Sequence, residues 1–226
     1  MTTALVIPAA GRGERLGAGR PKAFVELAGQ PLLVHAVRGA VASGVVDAVV
    51  VAVPDGYRDR VLELLDGAGH PLTVVIGGAS RRASVGAALA TLPEGVDSVL
   101  VHDAARCLTP PEVFIAVAAS LAAGADAVVP AIPVADTIKE VSGDVVTRTP
   151  DRSVLRAIQT PQGFRRDVLL RAHSETTGEA SDDAGMVEQL GVNVHIVQGH
   201  RYAFKITELL DVFLAEAVLA RRGSRP

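Results

Sequence analysis

The sequence has no tryptophan and only one cysteine, and its two Tyr and five Phe bring the aromatic share to 3% of 226 residues. So few rings argue against a single-strand nucleic-acid binder, which stacks bases on aromatic platforms above a basic groove. Charge argues the same way, since 22 Lys and Arg stand against 25 Asp and Glu for a net charge of -3. No nucleic-acid partner is expected. The lone Cys107 cannot form an intramolecular bridge, and no CxxC or His/Cys spacing suggests zinc. The strand-like run Ala4–Pro8 has no basic stretch before it, as a secretory signal would require. The longest apolar stretch, 115–135, is broken by Gly124, Asp126, Pro130 and Pro133, which disfavours a membrane span. The expectation is therefore a cytoplasmic protein with neither membrane nor nucleic acid as partner. Disorder is equally disfavoured, because 49% of the residues are hydrophobic and no low-complexity segment or internal repeat occurs.

What is present is a rhythm. Short Val/Ile-rich runs at Ala4–Pro8, Ala48–Val53, Thr73–Ile76, Ser98–His102 and Ala127–Ile132 read as strands buried on both faces. Helix-like stretches separate them at Pro31–Ser43, Tyr57–Ala68, Ser80–Thr91 and Pro111–Ala123. Such alternation predicts an α/β fold, Rossmann-like, with a mostly parallel sheet and helices on both faces. Past Ile132 the rhythm breaks. Residues 133–156 hold two short alternating strands around Ser142-Gly143-Asp144, a hairpin signal. A hairpin that small has no core of its own and must pack on something else, such as a second subunit. Helices near Arg165–Thr177 and Asp182–Leu190, a strand at Val192–Gln198 and a helix at Thr207–Arg222 complete the pattern. The last helix is expected to bury Leu210, Phe213, Leu214, Ala217 and Val218. Residues 1–226 are read as one domain carrying 133–156 as an inserted β-arm.

The segment richest in chemistry is Pro8–Lys22, PAAGRGERLGAGRPK, directly after the first strand. In an open α/β sheet the carboxyl ends of the strands are where ligands bind. Gly11 and Gly13 let backbone amides approach an anion closely. Arg12, Arg15, Arg20 and Lys22 add positive charge, and together they suggest a polyphosphate ligand. A Walker loop does not fit, because Lys22 is followed by Ala23 rather than Ser or Thr. A dinucleotide fingerprint does not fit either, because the spacing is Gly11, Gly13, Gly17 and no acid ends the second strand. Asp103, at the end of the Val/Leu run in VHDAAR, is placed for the same sheet edge, although a strand-end Asp before Ala-Ala also reads as a turn or helix cap. Arg81 and Arg82 open a helix, where positive charge is unfavourable, so a phosphate or an acidic partner is expected there. SDDAGMVE reads as a helix start capped by Ser181 in preference to a second metal site.

The loop resembles the PAAGxGxRxxxxxPK signature of sugar-nucleotide-type nucleotidyltransferases. GGASRRASV (77–85), VHDAAR (101–106), ADTIK (135–139), RAIQTPQGF (156–164), SDDAGMVE (181–188) and FKIT (204–207) follow it. In that order and spacing they are similar to the 2-C-methyl-D-erythritol 4-phosphate cytidylyltransferase family of the non-mevalonate isoprenoid pathway. The resemblance implies the nucleotide-diphospho-sugar transferase type of sheet, CTP and 2-C-methyl-D-erythritol 4-phosphate as substrates, and in-line attack on the α-phosphorus. It implies Arg15, Lys22 and Asp103 as catalytic residues, with Asp103 also holding Mg²⁺ or another divalent cation. Pro8, Ala9, Ala10, Gly11, Gly13, Gly77, Gly78, Ser84 and Ala104 would bind the nucleotide. Arg106, Thr137, Arg152, Thr160 and Lys205 would bind the second substrate, with the arm completing a homodimer. Cys107 stands where the family commonly has proline, and Ala79 where some relatives carry an acid. Two rival readings remain open on the residues alone: a nucleotidyltransferase for another phosphorylated polyol or sugar, and a non-catalytic nucleotide-binding regulator.

Overall fold

The computed structural model describes residues 1–11, 20–177 and 180–223. Of the loop residues singled out above, Arg12, Gly13, Arg15 and Gly17 lie outside the described residues. An eight-stranded sheet forms the centre. β1 (Thr3–Pro8) lies in the middle, parallel to β4 (Ala48–Val53) on one side and to β6 (Ser98–Val101) on the other. β5 (Leu72–Ile76) extends the sheet in parallel beyond β4. Beyond β6 the sheet becomes mixed: β11 (Gln162–Arg165) runs antiparallel to both β6 and β7 (Ala127–Pro133). β10 (Arg156–Ile158) is antiparallel and β12 (Val194–Gln198) parallel to β7. Two tiny strands, β2 (Glu26–Leu27) and β3 (Gln30–Pro31), form a separate ladder.

The strands read as continuous apolar runs because each face of the sheet has its own core. Leu5 and Ile7 of β1, with Val49, Val51 and Val53 of β4, belong to one apolar cluster with α1 (Leu32–Val41) and α4 (Pro111–Ala122). Ala4 and Val6, with Val50 and Ala52, belong to the other, covered by α3 (Arg81–Leu89), α5 (Arg166–Glu175) and α6 (Asp183–Gln189). Alternate residues of one strand thus face opposite layers. The chain steps from β1 through β4 to β5 and then returns to place β6 on the other side of β1. That reversal opens a crevice outside the carboxyl ends of β1 and β6, the position where such sheets bind ligands.

Several expectations need correction. The second helix, α2 (Arg58–Leu64), is shorter than the Tyr57–Ala68 stretch. The cap of α6 is Asp182, which accepts from the Gly185 N–H at 2.9 Å, and not Ser181. In α7 (Leu209–Gly223) the buried residues are Ala215 and Val218, with Val212 and Leu219 packed against the same core. Leu210, Phe213, Leu214 and Ala217 of the expected core face are exposed instead, Leu210 by 70% and Phe213 by 65%.

The hairpin is as expected: β8 (Glu140–Ser142) and β9 (Val145–Arg148) pair antiparallel across a turn in which Gly143 has φ 61°. That left-handed φ costs a glycine little, and it suits the tight turn. All residues from Ala135 to Thr149 are exposed, so the hairpin contributes no core.

Candidate active site

The crevice is a cleft of about 900 Å³ lined from four strand ends. Pro8 ends β1 and Ala9–Gly11 follow it, Pro54 follows β4, Gly77–Arg81 follow β5, and Asp103–Ala105 follow β6. Pro21 and Lys22 close it on one side, Lys205 and Thr207 on another. The loop after β1 returns to the cleft because the Lys22 N–H donates to the Gly11 carbonyl at 3.3 Å. Phe24, two residues on and fully buried, anchors that return. Nine of the sequence-derived site residues therefore meet on one wall system: Pro8, Ala9, Ala10, Gly11, Lys22, Gly77, Gly78, Ser84 and Asp103. Ala104 and Lys205 join them.

The glycine wall is tight for a steric reason. A Cβ on Gly77 would lie 2.5 Å from the Ala10 Cβ and 2.8 Å from the Ser84 hydroxyl, and one on Gly78 would lie 2.4 Å from the Ala83 Cβ. Only glycine lets the β5 turn and the β1 loop approach closely enough to form a narrow, backbone-lined slot. Ser84 is buried and donates to the Ser80 carbonyl at 2.9 Å.

Asp103 is not a turn cap: its carboxylate accepts no bond from the turn that follows it. Oδ1 instead accepts from Arg81 Nε at 3.3 Å and Oδ2 from Lys205 Nζ at 2.8 Å. Burial alone would raise the Asp103 carboxyl, but the positive charges of Arg81, Lys205 and Arg106 outweigh it and hold the group well below the usual carboxylate range. Arg81 reaches further with its other end, its Nη1 lying 2.5 Å from Oδ2 of Asp183, whose side chain is fully buried. Asp183 is bound in turn by His173 Nε2 at 3.1 Å. The acidic partner expected for Arg81 is therefore supplied within the chain. Arg82 donates to the carbonyls of His173 and Thr176 at the end of α5, where a cation suits the helix dipole.

Lys22 faces an acid as well. The Asp211 carboxyl lies below its ordinary value: burial opposes this, but bonds from Thr207 and Glu208 and the Lys22 charge prevail. Arg20 turns away to Glu26 at 3.5 Å, so it is a surface ion pair and not part of the cluster that its loop position suggested.

The remaining substrate-side residues fall into two groups. Thr160 is buried behind the cleft, accepting from the Asp103 N–H at 3.1 Å and lying 2.9 Å from His102 Nδ1. Arg106 donates to the carbonyls of Ala203 at 2.7 Å and Ile158 at 3.2 Å. Thr160 and Arg106 thus hold the segments that carry Asp103 and Lys205. Thr137 and Arg152 sit on the exposed arm, with Arg152 donating to the Ala135 carbonyl at 2.9 Å, and neither lines this chain's cleft. Cys107 is buried. Sequence reasoning missed Asp183 and His173 as parts of the site. The available signal was Arg81 itself, a cation at an unfavourable helix start that must find an acid.

Among the described residues no cluster of three or more His, Cys, Asp or Glu could hold a metal. Asp103 is a single anionic carboxylate at the cleft wall, which suits a hard divalent cation whose other ligands are phosphate oxygens and water. No helix among the described residues is long and apolar enough to cross a membrane.

Comparison with known proteins agrees over nearly the whole chain. A family model described as 2-C-methyl-D-erythritol 4-phosphate cytidylyltransferase matches residues 3–221. The protein of that name from Streptomyces avermitilis is 53% identical, the match covering 97% of this chain and 92% of its own length. The Nocardia farcinica protein of the same name is 51% identical over 97% and 94%. Among solved structures, the Thermus thermophilus cytidylyltransferase superposes with a TM-score of 0.80 at 37% identity, covering 98% of this chain and all of that one. The 4-diphosphocytidyl-2C-methyl-D-erythritol synthase of Anaerococcus prevotii gives a TM-score of 0.86 at 25% identity over 97% and 99%.

Proposed function

The chain belongs to the 2-C-methyl-D-erythritol 4-phosphate cytidylyltransferase family, and from that premise we propose what each residue of its cleft does. The enzyme is a nucleotidyltransferase that transfers a cytidylyl group from CTP to 2-C-methyl-D-erythritol 4-phosphate. The products are 4-diphosphocytidyl-2-C-methyl-D-erythritol and pyrophosphate. One observation carries the assignment of roles: a narrow glycine slot and a carboxylate flanked by cations share one cleft at the strand ends.

In the proposed mechanism a phosphate oxygen of the acceptor attacks the α-phosphorus in line, the bond to the bridging oxygen breaks, and pyrophosphate leaves. Two polyanions must meet, so the protein's work is neutralisation and alignment. The slot formed by Pro8–Gly11, Gly77, Gly78 and Ser84, with Ala104 beside it, suits the nucleotide. Gly13, outside the described residues, is assigned to nucleotide binding by its place in the glycine motif alone. Its small side chains leave backbone donors and acceptors to read the amino pyrimidine. Lys22, with Arg15 from the same loop, neutralises the triphosphate and the charge that spreads over the α-phosphoryl oxygens. Asp103 would hold a divalent cation, Mg²⁺ in this proposal, which when bound neutralises phosphate charge. Lys205 takes the acceptor phosphate. Thr160 and Arg106 support Asp103 and Lys205 from behind, through the bonds described above.

Thr137 and Arg152 complete the acceptor site from the arm of a second copy of the chain. The proposal is supported by a hairpin that is exposed from Ala135 to Thr149 and by two polar residues of the arm that do not line their own chain's cleft. The domain organisation follows: one catalytic unit with 133–156 as its dimerisation arm. A cytoplasmic reaction is part of the same proposal, since both substrates are charged phosphates.

The test is pyrophosphate release by the purified protein. Release is expected from CTP, Mg²⁺ and 2-C-methyl-D-erythritol 4-phosphate together, and not when any one is omitted or UTP replaces CTP. Turnover on another phosphorylated polyol, with none on this acceptor, would overturn the assignment.

A further inference from the structure

Asp103 carries two cations of unequal mobility. Arg81 is clamped at both ends, by Asp103 Oδ1 at 3.3 Å and by Oδ2 of Asp183 at 2.5 Å. Asp183 has no exposed side-chain surface and is itself bound by His173. Lys205 has one long flexible stem, its side chain is 42% exposed, and it stands on the cleft wall. An ammonium on such a stem exchanges partners readily, whereas a guanidinium forked between two carboxylates does not. Of the two, Lys205 is the one that can leave.

Both ligands of the proposed reaction need what this ion pair occupies. A divalent cation needs the Asp103 oxygen at which Lys205 sits, and a phosphate monoester needs the Lys205 ammonium. We propose that the Lys205–Asp103 ion pair is a latch that couples the two subsites. The cation-bound nucleotide and the phosphorylated acceptor each tighten the other's binding, because whichever arrives first opens the pair and leaves the second its group already free. The coupling is reciprocal by thermodynamic necessity. Arg81, tied to Asp183, keeps the carboxylate oriented while Lys205 departs. The inference rests on the reading of Asp103 as the carboxylate that holds the cation.

The latch makes an unusual prediction: deleting a substrate-binding lysine should strengthen metal binding. The measurement is Mn²⁺ affinity by electron paramagnetic resonance, with the unreactive α,β-methylene analogue of CTP present and with or without 2-C-methyl-D-erythritol 4-phosphate. In the parent, the acceptor should tighten Mn²⁺ binding by about fivefold or more, the low end of ordinary coupling. Lys205→Met should bind Mn²⁺ about threefold tighter than the parent without acceptor, the size of one partly exposed ion pair. In that variant the acceptor should then add little. Arg20→Met removes an equal charge beside the cleft without touching Asp103, and so gauges the general electrostatic effect. If Lys205→Met binds Mn²⁺ no tighter than that control, or the acceptor's effect survives undiminished, the latch is wrong. Asp103→Asn separates the two ideas. If it binds Mn²⁺ as well as the parent, the reading of Asp103 itself fails. If its binding is weakened while Lys205→Met behaves as the control, only the latch fails. Circular dichroism and melting temperature on every variant show that the folded protein is compared.

Discussion

Lys22 sits where a short turn, anchored by the buried Phe24, delivers the end of a cationic loop into the cleft. In the proposed mechanism its task is electrostatic, so a truncation removes charge without unpacking the core. Lys22→Ala should lower turnover by roughly 100-fold while the melting temperature stays near that of the parent, by analogy with loss of one preorganised group. Turnover within a few-fold of the parent would refute the role. His102 shows a different residue-scale effect. Burial pushes its imidazole down to about 4, with Arg106 working in the same direction and Asp103 against it. Below pH 6.5 the unfolded chain takes up a proton that the native His102 still refuses. Stability should therefore be fully retained above pH 6.5 and fall as pH drops toward 4, by about 3 kcal/mol across that window from a shift of this size. Denaturant melts between pH 7 and 4 check this, and His102→Asn should flatten that part of the profile. The depressed carboxyls of Asp103 and Asp183 act in a lower window, because their contribution persists until pH falls through the ordinary carboxylate range and below it. The two effects are separable by pH.

At the scale of elements, α6 is positioned by its cap more than by its length. Asp182 accepts from the Gly185 N–H and also from Gln162 Nε2 at 2.7 Å, tying the helix start to β11. Asp182→Ala should cost about 1–2 kcal/mol, as loss of a cap usually does, and lower the melting temperature without changing turnover of the folded enzyme. A large fall in turnover at unchanged stability would instead place Asp182 in the chemistry. The order of the main strands and helices up to β7 was legible because continuous apolar runs and helical spacing leave few alternatives in an α/β sheet. By contrast, β10 and β11, only three and four residues long, carry no such run and are set by pairing with β7 and β6. The facing of α7 was not legible either. That helix carries two apolar stripes, and the structure buries the smaller one at Ala215 and Val218 while Leu209, Leu210, Phe213 and Leu214 stay exposed. Periodicity finds stripes but cannot say which one meets the core. The site divides in the same way. Pro8–Gly11, Gly77, Gly78 and Asp103 were legible because each lies at or just past the end of an apolar run within a short motif, and Lys22 because it ends the cationic glycine segment after the first run. Asp183 was not, because its partner Arg81 is 102 positions away and nothing local distinguishes a buried acid from a helix-capping one.

For the molecule as a whole, the hairpin presents apolar surface that the other described residues leave uncovered, as they also leave Leu209, Leu210, Phe213 and Leu214 of α7. Val141, Val145 and Val146 of the hairpin are exposed by 62%, 62% and 54%, on an element that buries nothing of its own chain. Two antiparallel strands are marginal alone, and exposed apolar patches rimmed by charge mark interaction surfaces. In the proposed homodimer each arm covers its partner and carries Thr137 and Arg152 to the partner's cleft. This arrangement has a consequence that a site built within one chain cannot mimic. Lys22→Ala alone and Arg152→Ala alone should each be severely impaired, because every site in either homodimer lacks one of the two cations. After the two variants are dissociated and mixed, each heterodimer contains one site with both residues intact and one with neither. Random reassociation makes half the dimers mixed, so activity should recover to about a quarter of the parent value. Sedimentation of the mixture shows that dimers have re-formed. If they have and no activity returns, Arg152 serves its own chain's cleft, and the arm is a brace between subunits with no part in the partner's chemistry.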